Sequence, residues 1–264
     1  MRTVNDAEVT SVPGSFWQPD IDLFRHVLAK SAADGPGDLC EIGAFFGRSA
    51  VLIGGSVREG ETFTVIDLFE APASAQANAE ENAEYYGGLT RTAFEENYTR
   101  IHGHLPVVIQ GLSSTITEHA SAGTHRFVHI DASHLYEHVV DDVNSARVLL
   151  RTDGVVVFDD YRSVHTPGVG AAAWGAVATT GLRPFAVSPH KLYATWGDAP
   201  MWHERMMEWA RTSGQDVVVE EIAGVPVVRF PYAPAPRPHH FKRYVPEVLW
   251  GAMAKVRSVA GRSG

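Results

Sequence analysis

Three acidic side chains stand where two apolar runs stop. Phe127-Val128-His129-Ile130 ends at Asp131, and Val155-Val156-Val157-Phe158 ends at Asp159 and Asp160. Aspartates ordinarily ionise near pH 4, so all three are expected to be charged at neutral pH. Brought together they repel, and one must take up a proton unless a cation sits among them. Taken singly, an aspartate at a strand end is a common cap or turn residue. At matching ends of two runs, the set reads as a metal site. Hard oxygen ligands suit Mg²⁺, Mn²⁺ or Ca²⁺ better than zinc. His134 follows three residues after Asp131 and can accept a proton near neutral pH. A metal-bound hydroxyl beside such a base is a ready nucleophile.

A second constellation lies upstream. Asp38-Leu39-Cys40-Glu41-Ile42-Gly43 reads as a buried strand, followed by Ala44-Phe45-Phe46-Gly47-Arg48-Ser49 and a helix over 50–57. Gly43 and Gly47 permit a tight turn and close backbone approach, and the helix start offers free N–H groups. The spacing is G-x-x-x-G, neither the dinucleotide fingerprint nor a P-loop. Glu41 beside the turn would repel phosphates and favour a cationic, hydroxyl-rich ligand. Asp67, where the next strand ends, is placed for a ribose diol.

The elements that must carry these residues alternate. The segment between the two aspartate-terminated runs has helical periodicity in Val139, Val140, Val143, Ala146, Leu149 and Leu150, and Asp153-Gly154 reads as its stop. Strand, helix, strand is the crossover unit of a parallel sheet, whose ligands bind at the carboxyl ends of the strands. Further strands are expected at 62–66, 107–110, 184–187 and 192–196, the last two as an antiparallel edge hairpin. The fold class is therefore α/β: a Rossmann-like doubly wound sheet of about seven strands, mostly parallel, with helices on both faces. Residues 1–35 read as an N-terminal arm and helix, 36–200 as the core, and 201–264 as an extension. That extension holds a helix, a hairpin over 217–230, a proline-rich stretch over 231–238 and a basic helix over 241–260. The acidic insertion over 70–105 reads as a lid.

Composition bounds the function. A formal charge of −9 argues against a nucleic-acid surface. A single cysteine, Cys40, excludes an internal disulfide framework and makes a reducing cytoplasm the expected compartment. No apolar run reaches the ~20 residues of a membrane span, and the N-terminus lacks a signal-peptide pattern.

Glu41-Ile42-Gly43 with Gly47-Arg48-Ser49, Val65-Ile66-Asp67, His129-Ile130-Asp131-Ala132-Ser133-His134-Leu135-Tyr136 and Asp153–Tyr161 together resemble the class I S-adenosylmethionine-dependent methyltransferases. Within these the pattern is similar to the metal-dependent sugar O-methyltransferases of the macrocin type. The resemblance covers roughly residues 36–197. It implies that Asp131, Asp159 and Asp160 hold Mg²⁺ or Mn²⁺ and that His134 is the general base. It places S-adenosylmethionine against Glu41, Gly43, Gly47, Ser49, Asp67, Gly111, Ser113 and Asp131. Ala132 departs from the family's usual glycine. Tyr136, His138, Tyr161 and His165 lie where an acceptor could touch them. The implied reaction is methyl transfer to a hydroxyl of a sugar, in a glycoside, an oligosaccharide or a glycosylated natural product, by a homodimer.

Other readings compete. A catechol or phenol acceptor would call, by the same resemblance, for a lysine near the metal, and no lysine lies between Asp67 and Lys191. An amino sugar could accept the methyl on nitrogen. His134-Leu135-Tyr136-Glu137-His138 also matches H-x-x-E-H, a zinc-hydrolase signature that requires both histidines on one helix. A non-catalytic cofactor-binding subunit is the remaining alternative.

Overall fold

The computed structural model describes residues 3–72 and 88–231. The chain divides into two compact units, Met1–Pro231 and Tyr232–Gly264. The proline-rich stretch beyond Pro231, the basic helix and the acidic residues Glu80, Glu81 and Glu84 lie outside the described residues.

Helices α1 (Asp6–Thr10) and α2 (Gln18–Ala33) lead into β1 (Asp38–Ile42), α3 (Arg48–Gly54), β2 (Phe63–Asp67), α4 (Arg91–His102) and β3 (Val107–Gln110). A 3₁₀ turn (Ser113–Glu118) precedes β4 (His125–Ile130), α5 (Tyr136–Leu149), β5 (Leu150–Phe158) and α6 (Pro167–Thr179). Then come β6 (Arg183–Val187), β7 (Leu192–Thr195), α7 (Ala199–Ser213), β8 (Val218–Ile222) and β9 (Val225–Arg229). The strand order is β3-β2-β1-β4-β5-β7-β6-β9-β8. The first five strands in that order are parallel; β7 runs antiparallel to β5 and β6.

Alternation along the strands sorts the core into two layers. Leu39, Phe127, Val155 and Val157 face Phe24 of α2, Val51 of α3 and Trp202 of α7. Cys40, Ile42, Val128, Val156 and Phe158 face Val143 of α5 and Ala173 of α6. Strands buried on both sides explain the unbroken apolar runs in the sequence.

Three details differ from the pattern read in the sequence. Among the described residues the sheet has nine strands where about seven were expected, because the hairpin of the extension joins it: Ala186 and Val187 pair in parallel with Val228 and Arg229. Val227 and Val228 are fully buried there, which supplies the apolar contact that holds the hairpin to β6. The pair β6–β7 is consequently interior rather than an edge. Asp153-Gly154 does not stop a helix but lies within β5, at a register irregularity opposite β4. A Cβ on Gly154 would come within 2.8 Å of the His125 carbonyl oxygen, so only glycine passes there. Within the segment expected as a lid, α4 is a packed crossover helix, with Phe94, Tyr98 and Ile101 buried.

At the amino ends of the strands, opposite the site, Arg126 is fully buried. It pairs with Glu61 at 3.1 Å and donates to Ser31 Oγ and the Ser56 carbonyl at 2.8 Å. Arg58 reaches the same carboxylate at 2.7 Å. One carboxylate thereby joins α2, the turn after α3 and β4.

Candidate active site

The carboxyl ends of β1, β2, β4 and β5 converge as the parallel pairing requires. Backbone bonds continue past the strands, from Gly43 N to the Ile66 carbonyl, Asp131 N to Ile42 and Asp159 N to Ile130. Gly43 has φ 84°, and a Cβ there would lie 2.2 Å from the Asp131 carbonyl oxygen. The turn after β1 thus presses on the end of β4, and only glycine allows it.

A cavity of about 230 Å³ opens over these ends, lined among others by Gly43, Phe45, Asp67, Gly111, Ser113 and Asp131. Phe45 and Phe69, both in its wall, have positive φ of 51° and 49°. Asp67 Oδ2 accepts the Ala44 and Phe45 N–H groups and Oδ1 accepts that of Phe69. Burial pushes the Asp67 carboxyl upward in pKa, against the pull of those three N–H donors. Its first task is therefore to hold the turn, and Oδ1 keeps a lone pair for a ligand hydroxyl. Ser133 and His138 also line this cavity, 2.9 Å apart from Oγ to Nδ1.

A smaller cavity adjoins it, lined by Gly14, Ser15, Phe16, Ala44, Phe45, Arg48, Ser49, Asp131, Asp159 and Lys191. Asp131 walls both. The N-terminal arm forms one side and is fastened there by Arg48, whose Nε donates to the Val12 carbonyl at 2.7 Å.

Four side chains run in a line, Glu41 and His129 buried beneath the floor, Lys191 and the partly buried Asp159 in the wall of the smaller cavity. Glu41 Oε1 lies 2.9 Å from His129 Nδ1, and His129 Nε2 lies 3.3 Å from Lys191 Nζ. Lys191 Nζ lies 2.6 Å from Asp159 Oδ2. Register creates the line: Glu41 pairs with His129 across β1–β4, and Phe158 with Leu192 across β5–β7, so Asp159 and Lys191 meet one step further on. Phe16 covers the Lys191 ammonium at 4.5 Å and Phe24 at 5.6 Å. Burial should raise Asp159, but the Lys191 charge overrides it and holds the carboxyl below its usual range. Burial and the Asp159 charge push Asp131 well above its usual range. Burial pushes Glu41 up to about 8 and, with Lys191, holds His129 well below its usual value.

The expected ligand set is brought together only in part. Among the described residues, the group whose ligand atoms all lie within 4.8 Å of one another is His129, Asp131 and Asp159. Asp160 has φ 51°, accepts from Ser163 Oγ at 2.5 Å and lies 3.6 Å from His134 Nε2. A divalent ion does not fit the set as it stands. Both His129 nitrogens are engaged, and Asp159 already carries a buried ammonium. Lys191 also reverses the expectation that no lysine lies near the site, since β7 returns it there from far along the chain.

The remaining expected residues are distributed as follows. His134 stands on the loop before α5, its ring 6.4 Å from that of His165. Because α5 begins at Tyr136, His134 and His138 do not share a helical face, which removes the geometry a zinc hydrolase needs. Gly47 caps α3 with φ 96°. Glu41 lies beneath the floor rather than in either cavity wall. Tyr136 is exposed, while Tyr161 is buried against Trp174 and donates to the Ser188 carbonyl at 3.4 Å. Ala132 has no positive φ, so the departure from glycine costs nothing in the backbone. Sequence reasoning missed His129, Lys191 and Phe16. His129 was legible as a polar residue in phase with Asp131; Lys191 and Phe16 needed the tertiary fold.

Residues 40–161 match the family model described as a methyltransferase domain. The structure of the O-methyltransferase NovP is similar at 18% identity and TM-score 0.56, covering 67% of this chain and 79% of that one. The calicheamicin methyltransferase CalS11 is similar at 17% identity and TM-score 0.52, covering 69% and 81%. A protein from Corynebacterium glutamicum is similar at 15% identity and TM-score 0.52, covering 74% and 92%. No curated protein sequence matches. At such identities the likeness concerns the fold. The sheet with its glycine turn has the fold of those methyltransferases, and the methyltransferase-domain match falls on β1 to β5, the strands whose carboxyl ends form the site. No helix among the described residues is long and apolar enough to cross a membrane.

Proposed function

We propose that the chain transfers the methyl group of S-adenosylmethionine to a hydroxyl of a sugar, free or attached to a natural product. The supporting observation is the shared wall: Asp131 lines both the larger cavity and the smaller one. The larger cavity has the residues for an adenosine group, with Asp67 at its floor and Gly111 and Ser113 along its side. The sulfonium then falls near Asp131, and the acceptor beside Asp159 and the loop carrying His134.

The acceptor oxygen attacks the sulfonium methyl in line. The C–S bond breaks with its electron pair left on sulfur, and the hydroxyl proton passes to His134. Asp160, 3.6 Å from His134 Nε2, orients that ring and stabilises it once protonated. Orientation and exclusion of water supply much of the acceleration. NovP and CalS11 support an oxygen acceptor, and CalS11 is described as a TDP-rhamnose 3′-O-methyltransferase.

A catechol hydroxyl is the second reading, and the lysine at the site favours it. The test is transfer of labelled methyl to a panel of glycosides, amino sugars and catechols. Label on a glycoside oxygen supports the first reading, label on catechol alone the second. S-adenosylhomocysteine binding without transfer to any class defeats both.

A further inference from the structure

We propose that Lys191 is the built-in cation of this site, standing where a divalent ion would stand, so that methyl transfer runs without a metal. The proposal rests on the methyltransferase reading and adds to it how the acceptor is held.

Three geometric facts carry it. First, the ammonium is within the carboxylate group itself, 2.6 Å from Asp159 Oδ2 and 3.3 Å from His129 Nε2. Those two residues and Asp131 form the one set of described residues compact enough to ligate an ion. An added dication would face an ammonium in a low-dielectric pocket, where like charges repel far more strongly than in water. Second, the lysine is built in rather than draped over the surface. It is 1% exposed, its backbone N–H is held by Ser188 Oγ at 3.0 Å, and its ammonium lies against the Phe16 ring. A buried ammonium is tolerated only with compensation of this kind, and Asp159 supplies it. Third, the ammonium has three protons and only two polar partners, Asp159 and His129, among the described residues. Lys191 lines the small cavity beside Asp131, so a ligand oxygen there can accept the third.

The chemistry is consistent with that placement. An N–H donor fixed beside the acceptor oxygen positions it for in-line attack and stabilises negative charge as its proton leaves for His134. The methyl carbon exchanges its bond to sulfur for one to oxygen, and the thioether leaves neutral. Lys191 stays protonated throughout and needs no exchange with solvent. The His129–Glu41 pair beneath it acts as a positioning element: the His129 ring, held at Nδ1 by Glu41, fixes where Nζ stands.

Electron paramagnetic resonance of Mn²⁺ added to the chelator-treated full chain tests this without knowledge of the acceptor. Calorimetric binding of S-adenosylhomocysteine reports separately whether the methyltransferase reading holds. Wild-type protein should leave the free Mn²⁺ signal unchanged, with or without S-adenosylhomocysteine. Lys191→Ala, which vacates the position and leaves its carboxylates, should gain Mn²⁺ affinity by about tenfold or more. Lys191→Ala/Asp159→Asn should lose that gain. Stoichiometric Mn²⁺ binding by the wild type, abolished by Asp159→Asn, overturns the proposal even if cofactor binding is intact. A folded Lys191→Ala protein that still ignores Mn²⁺ also overturns it. If that variant does not fold, the wild-type measurement decides alone.

Discussion

Asp67 Oδ2 accepts the Ala44 N–H at 2.6 Å, fastening the end of β2 to the turn that follows β1. The same carboxylate holds the Phe45 and Phe69 N–H groups, and both phenylalanines sit at positive φ. Such a conformation costs on the order of 1 kcal/mol for each bulky residue, and hydrogen bonds to a carboxylate offset it. Asp67→Ala should let the cavity wall relax. We expect S-adenosylhomocysteine affinity to fall by roughly tenfold to a hundredfold, read by calorimetry, with Asp67→Asn intermediate. Unchanged affinity in both variants would show that the turn keeps its shape unaided.

Gly43→Ala places a methyl group 2.2 Å from the Asp131 carbonyl oxygen at a φ of 84°. Neither the clash nor the conformation can be relieved without parting β1 from β4. Thermal unfolding should show a loss of several kcal/mol, on the order of 3 or more, or no soluble protein. Gly60→Ala is the control, because its φ is also positive, at 82°, but nothing lies within 4 Å of the added carbon.

His134→Ala should retain cofactor binding and lose turnover. The loss expected of a missing general base is about a hundredfold to ten-thousandfold in kcat. Near-normal kcat would transfer the role of base to another group. His165 would be the first to examine, because its ring lies 6.4 Å from that of His134.

Glu61 should contribute to stability against acid. Burial alone would raise its pKa, but hydrogen bonds from Arg126 and Arg58 pull it down from 4.5 to about 2. A folded-state value below the unfolded one gives stability present above pH 4.5 and lost as pH falls toward 2. Wild-type melting temperature should therefore drop across that window. Glu61→Gln should already be destabilised at pH 7, by about 3–5 kcal/mol as for a broken buried ion pair, and should show a shallower drop. Parallel curves for the two proteins would assign the acid transition to other carboxylates.

Much of this architecture was legible from local pattern. The βαβ units, the glycine turn and the strand-end aspartates follow from apolar periodicity and the residues that interrupt it. The contents of the floor were less legible. Lys191 is 32 positions beyond Asp159 and meets it only because β7 runs back antiparallel beside β5. Reading Leu192–Trp196 as an edge hairpin gave that lysine no reason to be inside. His129 was hidden differently, as a polar residue inside an apolar strand whose partner, Glu41, belongs to another strand. Gly154 misled because a glycine after aspartate marks a turn far more often than a bulge within a strand. The arm's place over Lys191 depends on aromatic contacts from Phe16 to Phe24 and to the ammonium, which no local periodicity encodes.

Because Gly14, Ser15 and Phe16 wall the small cavity, seating of the arm and filling of that cavity are one equilibrium viewed from two ends. Whatever settles there tightens the first seventeen residues, and a firmer arm holds its guest longer by the same factor. Proteolytic nicking ahead of α2 should slow when an acceptor that fills this cavity is added. Conversely, a tag crowded against the start of the chain should weaken the ligand without touching any residue of the sheet.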